Sequence, residues 1–417
     1  MNIKRIEVKN FKSFKELKVD LGNFNMIIGA NASGKSNFVH IFKFLRDIMI
    51  SGLHNAISLQ GGVEYLRNIN IGASQDLSIK VVSNRKFGWL GYQTKEDLIA
   101  IRTYETIYEF ALKFNRRGSG FRITKDRLNQ KCKFVRLERK ERKIEEKEIL
   151  GNGEIVVSCS NRKVKTELNK PPKISLKIED IFPPFLREEK LPKHTLLLET
   201  PYFFIPPLES IFREISIYDF DPKLPKKATP ITGKVELEEN GSNLSIILKN
   251  ITENREKRRK LFNLVKNLLP FVENLDVEKF ADKSLLFKLK ESYFKTQYLP
   301  ASLISDGTIN ITALIVALYF EKKPFVIIEE PERNIHPSLI SKVVEMMKDA
   351  SQKKQIVITT HNPEFVKYAG LKNILLVSRD KNGFSIISRP ADKEVVKTFL
   401  KNDIGIEELY IQNLLEV

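Results

Sequence analysis

Cysteine is scarce in this chain. Only Cys132 and Cys159 occur in 417 residues, too few for a disulfide framework, so a reducing, cytoplasmic setting is the expectation. Long hydrophobic runs are missing as well. No stretch of about eighteen uncharged apolar residues is present, which argues against a membrane-spanning helix and a membrane partner. The opening Met1 to Val8 alternates like a strand and lacks the apolar core of a signal peptide. No sustained heptad pattern appears, which excludes a long coiled coil. Acid is also in short supply: 52 Asp and Glu stand against 70 Lys and Arg, a net charge of +18. Such an excess favours polyanionic partners such as nucleic acid, while cations scattered over a solvated surface give the same balance. Arg255-Glu256-Lys257-Arg258-Arg259-Lys260 is a dense basic patch, and Arg116, Arg117, Arg122, Lys125 and Arg127 form a second. The run from Arg136 to Lys147 mixes both signs and reads as a solvated hairpin or helix.

What is present points to a nucleotide. Hydrophobic content of 42% and charged content of 29% describe a globular protein, long enough for two or three lobes. Gly29-Ala30-Asn31-Ala32-Ser33-Gly34-Lys35-Ser36 fits GxxxxGK[ST], in which backbone N–H groups cradle a polyphosphate. Lys35 can reach the β- and γ-phosphates, and the Ser36 hydroxyl can sit on Mg²⁺. The nucleotide-binding run is therefore Asn31, Ala32, Ser33, Gly34, Lys35, Ser36 and Asn37, with ATP and Mg²⁺ as the expected cofactors. Phe24 to Ile28 reads as a buried strand entering the loop, and Phe38, Ile41, Phe42, Leu45 and Ile48 mark an amphipathic helix leaving it.

A second apolar strand, Pro324 to Ile328, ends in Glu329-Glu330. In an open α/β sheet such a strand delivers carboxylates to the ligand-binding edge. By position Glu329 is assigned to the metal and Glu330 to the attacking water. A third apolar strand, Gln355 to Thr360, leads into His361, placed to contact a γ-phosphate. His336 has less support, and His40, His54 and His194 have no supporting constellation. Ser305-Asp306-Gly307 precedes an apolar stretch from Ile309 to Leu318, which reads either as an anion-binding helix N-terminus or as an ordinary capped core helix.

These elements, in this order, resemble the ABC-class ATPase heads of the SMC and RecF group. Val8-Lys9-Asn10-Phe11-Lys12-Ser13-Phe14 looks like that group's opening strand. Glu329-Glu330-Pro331-Glu332-Arg333-Asn334-Ile335-His336-Pro337 is similar to a stretch of its RecF-like and OLD-like AAA members, as is Glu239-Asn240-Gly241-Ser242-Asn243-Leu244. The resemblance spans roughly residues 1–80 and 235–417. It implies a P-loop α/β head with an antiparallel β lobe and an inserted, partly helical lobe. It also implies ATP hydrolysis in a head-to-tail dimer, in which Ser305, Asp306 and Gly307 of one copy face the nucleotide on Lys35 of another. Arg333 and Asn334 then fall in the segment crossing the dimer interface. A glutamine linking the metal to the second lobe is assigned to Gln60, with Gln75 as the alternative. Glu329 stands where transporters of the class carry Asp, a departure shared with the OLD-like branch.

The 270 residues from Lys35 to Ser305 resemble neither a transporter subunit nor a large SMC. The expected division is 1–80 for the first part of the head, 81–234 for the β lobe and insertion, and 235–417 for the rest of the head. Alternating stretches such as Leu77 to Val82, Tyr104 to Phe114 and Glu154 to Ser158 suggest hairpins, with a turn at Gly151-Asn152-Gly153. Prolines at 171, 172, 183, 184, 192, 201, 206 and 207 mark an irregular connection, where Phe182, Phe185, Tyr202, Phe203 and Phe204 are expected to fill a small core. Leu261, Val265, Leu268 and Leu269 follow the basic patch at helical spacing. Fifty-six residues follow His361, too few for the TOPRIM domain of OLD nucleases, so no nuclease activity is expected of this chain. Leu400 to Leu415 is apolar enough for a final packed helix or a partner contact. The function expected is an ATPase that dimerises on ATP and acts as a DNA-associated switch in genome maintenance or anti-phage defence. The alternative is a nucleotide-clamped interaction module that restrains a separate nuclease or toxin with little hydrolysis.

Overall fold

Period-two runs and strand–loop–helix alternation build different sheets in the two compact units of this chain. The computed structural model describes residues 3–415 apart from 85, 87–89, 94–97, 119, 141–142, 183–189, 201–211, 281–282 and 403. Phe185, Tyr202, Phe203 and Phe204 lie outside the described residues, as do the prolines at 183, 184, 201, 206 and 207; Phe182 is buried.

The first unit comprises Met1–Gly22, Asn37–Ile215 and Arg379–Ile387. Its strands are antiparallel and neighbour one another in the order Phe14–Asp20, Ile3–Phe11, Leu77–Ser83, Leu98–Phe114, Phe121–Lys140, Lys143–Ser160 and Lys163–Asn169. Three of these strands are 17, 20 and 18 residues long, well beyond the usual strand length of about 5–6. Of the run from Arg136 to Lys147, Arg136–Lys140 and Lys143–Lys147 belong to this ladder, with Arg136 bonded to Glu148 across it, and residues 141–142 lie outside the described residues. Gly151-Asn152-Gly153 is not a turn. It pairs with Phe134, Lys133 and Cys132 inside the strand Lys143–Ser160, and the irregularity is absorbed as a shift of register beside Val135. Helix Lys35–Ser51 contributes Phe38, Ile41, Phe42, Phe44, Leu45 and Ile48 to the buried core, and the Phe44 ring lies 6.1 Å from Phe11 and 6.5 Å from Phe110. Asn10, fully buried, donates to the carbonyls of Gly72 and Gln75 and accepts from the Asn68 N–H, so the opening strand organises the segment from 68 to 75.

The second unit comprises Asn23–Ser36, Ser216–Ser378 and Ser388–Val417. Strands Ile215–Tyr218, Phe325–Glu329, Gln355–Thr359, Phe24–Ile28 and Ile374–Arg379 lie side by side in that order. The last four pair in parallel, with Glu329 opposite Thr359, Thr359 opposite Ile27 and Ile27 opposite Leu375. Phe24 to Ile28 and Gln355 to Thr359 are buried along their whole length, as strands covered on both faces must be. The C-terminal ends of three of these strands therefore lead to the phosphate loop, Glu329-Glu330 and His361 at one edge. Helix Asp306–Tyr319 is buried from Thr308 to Leu318 and sits in the apolar core of the unit. A small antiparallel sheet pairs Val272–Phe280 with Ser284–Glu291. Beside it, helix Arg255–Leu268 buries Leu261, Val265 and Leu268 and leaves Arg255 to Lys260 exposed. The final apolar stretch forms two short helices, Glu394–Lys401 and Ile406–Ile411, because the Asn402 N–H closes back on the carbonyls of Thr398 and Phe399. Among the described residues, no helix is long and apolar enough to cross a membrane.

One buried carboxyl in the first unit makes stability pH-dependent. Asp126 accepts from the Tyr108 hydroxyl at 2.9 Å and the Leu197 N–H at 2.7 Å, yet burial pushes its pKa up to about 7. The folded form then binds a proton that the unfolded chain has released, so stability falls as pH rises from about 4 to about 7. Its steepest slope is about 1.4 kcal/mol per pH unit. Denaturant midpoints measured across this range should show the fall, and Asp126→Asn should flatten it.

Candidate nucleotide site

The phosphate loop sets the geometry. Strand Phe24–Ile28 leads into Gly29, and helix Lys35–Ser51 starts at the lysine itself, so its first N–H groups face the loop. Ala32 adopts φ 59°, an uncommon value for a residue with a Cβ and a mark of a backbone held in an unusual shape. Lys35 is 8% exposed, and its ammonium donates to the carbonyls of Gly29 at 2.7 Å and Ala30 at 3.0 Å. Burial lowers its pKa, and the charges of Glu330 and Glu332 oppose that shift. From the other side the Tyr410 hydroxyl donates to the same Gly29 carbonyl at 3.3 Å.

The acidic strand ends where the loop begins. The Ser36 hydroxyl donates to Glu329 at 3.2 Å. Burial raises the Glu329 pKa first, the charge of Asp219 second, and the Ser36 bond partly offsets both. A hydroxyl beside a carboxylate whose charge is under stress is a set of hard oxygen donors that suits Mg²⁺. Glu330 follows with φ 43°, an outlier for a residue of its size. Its Oε1 lies 3.2 Å from His361 Nδ1, and its Oε2 accepts from Arg333 Nε at 2.8 Å. Burial alone would raise the Glu330 pKa, but the Arg333 and His361 contacts hold it below the ordinary carboxylate value. Glu332 is buried and accepts from the Thr360 hydroxyl, while burial raises its pKa.

Ser305 caps helix Asp306–Tyr319, its hydroxyl accepting from the Thr308 N–H at 3.2 Å, and Asp306 pairs with Lys226 at 2.5 Å. Gly307 is there for close approach: a Cβ would stand 2.4 Å from the Asn334 carbonyl oxygen. One turn along, Asn310 donates to the carbonyls of Pro331 at 3.3 Å and Arg333 at 2.7 Å. The structure thus brings Lys35, Ser36, Glu329, Glu330 and His361 to one edge of the second unit. It ties the Ser305-Asp306-Gly307 segment to the turn after Glu330. Gln60 and Asn37 belong to the first unit. Gln60 is buried with its Oε1 lacking a hydrogen-bond partner among the described residues, and Asn37 donates to Ser13 at 2.8 Å. His336 caps a short turn through Ser338, His40 is pushed down to about 4 by burial and by Lys12 and Lys43, and His54 and His194 pack with Phe121. Asp219 and Tyr410 were not anticipated. Asp219 ends the short apolar strand Ile215–Tyr218, the same signal that marked Glu329, but four residues are too few to stand out. Gly307→Ala should force the helix from the Asn334 carbonyl and cost about 1–3 kcal/mol in denaturant titration.

A family model described as "AAA domain, putative AbiEii toxin, Type IV TA system" matches residues 24–367. Over 375 residues, 88% of this chain and 86% of the relative, the chain is 21% identical to an ATP/GTP phosphatase of Helicobacter pylori (strain ATCC 700392 / 26695). Local matches reach 40% identity over 47 residues with endonuclease GajA of Bacillus cereus (strain VD045), and 46% over 46 residues with DNA replication and repair protein RecF of Lactococcus lactis subsp. lactis (strain IL1403). These two matches each cover 11% of this chain and only 8% and 13% of those curated relatives. Among solved structures, the SMC head bound to the C-winged helix domain of ScpA aligns with a TM-score of 0.50 at 15% identity, over 93% of this chain and 98% of that one. That likeness shows the fold, a P-loop ABC-type ATPase head.

Proposed function

We propose, for a chain that belongs to this AAA-domain family and is an SMC/RecF-like ABC-class ATPase, that ATP binding joins two copies and hydrolysis releases them. The observation that carries the reading is the meeting of Ser36 with Glu329, and of Glu330 with His361, at the edge where the phosphate loop opens. The loop from Asn31 to Asn37 binds the phosphates, with Lys35 leaving its loop carbonyls to reach them. Ser36 and Glu329, which meet within the second unit, would hold Mg²⁺, and the ion would supply charge neutralisation at the phosphates. Glu330 accepts a proton from the attacking water, and His361 orients that carboxylate and contacts the γ-phosphate. Ser305, Asp306 and Gly307 complete the site of a second copy. The division of the chain into 1–80 and 235–417 for the head and 81–234 for the β lobe and insertion is part of this proposal, with the inserted lobe carrying the state outward. The net charge of +18, with the local likeness to a DNA repair protein and to an endonuclease, supports a DNA-associated switch in genome maintenance or anti-phage defence.

A second reading is favoured by one observation: both oxygens of Glu330 are engaged by Arg333 and His361. A carboxylate so occupied suits a nucleotide clamp that hydrolyses slowly while restraining a separate nuclease or toxin. Glu330→Gln separates the two. For the ATPase switch, turnover should fall by about 100-fold or more while light scattering finds an ATP-dependent dimer. A wild type without turnover, indistinguishable from the variant, establishes the clamp instead. Binding to a DNA duplex across a salt series, with and without ATP, should weaken steeply as salt rises; absence of binding at low salt removes DNA from the proposal.

A further inference from the structure

Arg333 stands between two carboxylates. Its Nε donates to Glu330 Oε2 at 2.8 Å, and its Nη1 donates to Asp219 Oδ1 at 2.5 Å. Asp219 arrives from far away in sequence, at the end of strand Ile215–Tyr218, which neighbours the acidic strand. Its own backbone is fixed by an N–H bond to the Glu239 carbonyl at 2.9 Å. The turn that carries Arg333 is fixed independently, because Asn310 holds the carbonyls of Pro331 and Arg333. A planar guanidinium with two anchored ends has little freedom left, and Lys could not reproduce that fork.

We propose that Asp219 is a positioning residue of the hydrolytic site, acting through Arg333 to fix the direction of the Glu330 carboxylate. This rests on the reading of Glu330 as the group that accepts the water's proton. Glu330 needs such an arm because its backbone is itself in the left-handed region, where the side chain leaves the strand in an unusual direction. His361 touches only Oε1, which leaves rotation about the carboxylate axis to be stopped at Oε2. The arm is not a device for stability. The side chains of Asp219 and Arg333 are 55% and 43% exposed, and exposed ion pairs contribute little to folding. Their short, two-ended geometry acts on orientation, where a displacement of about 1 Å can cost about 100-fold in rate.

The test measures steady-state ATP hydrolysis and thermal unfolding of the full chain with Asp219→Asn, Asp219→Glu, Arg333→Ala and the double variant Asp219→Asn/Arg333→Ala. Asp219→Asn should lower kcat about tenfold with KM for ATP within about twofold of wild type and an unchanged Tm. Asp219→Glu should recover at least part of the rate, and the double variant should be no slower than the slower single one. A kcat within about twofold of wild type for Asp219→Asn overturns the proposal. A rise in KM at unchanged kcat overturns it as well, because Asp219 then acts on the bound nucleotide. Multiplying losses in the double variant do the same, because the two residues then act independently. A wild type that binds ATP and does not hydrolyse it fails the underlying ATPase reading, an outcome visible before any variant is compared.

Discussion

The approach of Gly307 to the Asn334 carbonyl constrains much of the second unit. It brings the most thoroughly buried helix of that unit against the turn that follows the acidic strand, at a separation no side chain allows. Asn310 then spans the same gap with two hydrogen bonds. The turn is therefore registered on a helix whose apolar faces cannot slide without opening the core. Glu330, Glu332 and Arg333 inherit their placement from that registration. So does the strained backbone of Glu330, which could not persist if the surrounding turn were free to relax.

The charge at this edge runs against the charge of the whole chain. Asp219, Glu329, Glu330 and Glu332 are gathered around two fixed cations, Lys35 and Arg333, in a protein whose net charge is +18. Burial raises the pKa of Glu329 and Glu332, whereas Arg333 and His361 keep Glu330 ionised. A local excess of carboxylate is compatible with a divalent cation and unfavourable for a bare polyphosphate. The exposed run from Arg255 to Lys260 is one place where the basic surplus gathers on a surface instead.

The parts of the site that were legible in sequence are those whose chemistry sits on consecutive residues. The phosphate loop, Glu329-Glu330 and His361 each follow an apolar strand directly, so composition and order suffice to find them. Asp219 was hidden because its partner Arg333 is 114 residues away and its strand is only four residues long. Asn310 was read as part of an apolar helix, and only the folded turn reveals what its amide does. The Gly151-Asn152-Gly153 reading failed for a different reason: local turn chemistry lost to the ladder with the strand Phe121–Lys140, which tolerates an extra residue as a bulge. The alternation in the middle was plain, but nothing in a period of two says how far a strand continues.

The Gly29 carbonyl accepts from two donors, the Lys35 ammonium and the Tyr410 hydroxyl. A lysine that swings away to a phosphate would otherwise leave that carbonyl to reorient and the loop to lose its form. With the tyrosine in place, the mould keeps its shape while its contents change. Helix Ile406–Ile411 is in this sense a splint for the loop that Gly29 opens, set from nearly four hundred residues away in the sequence.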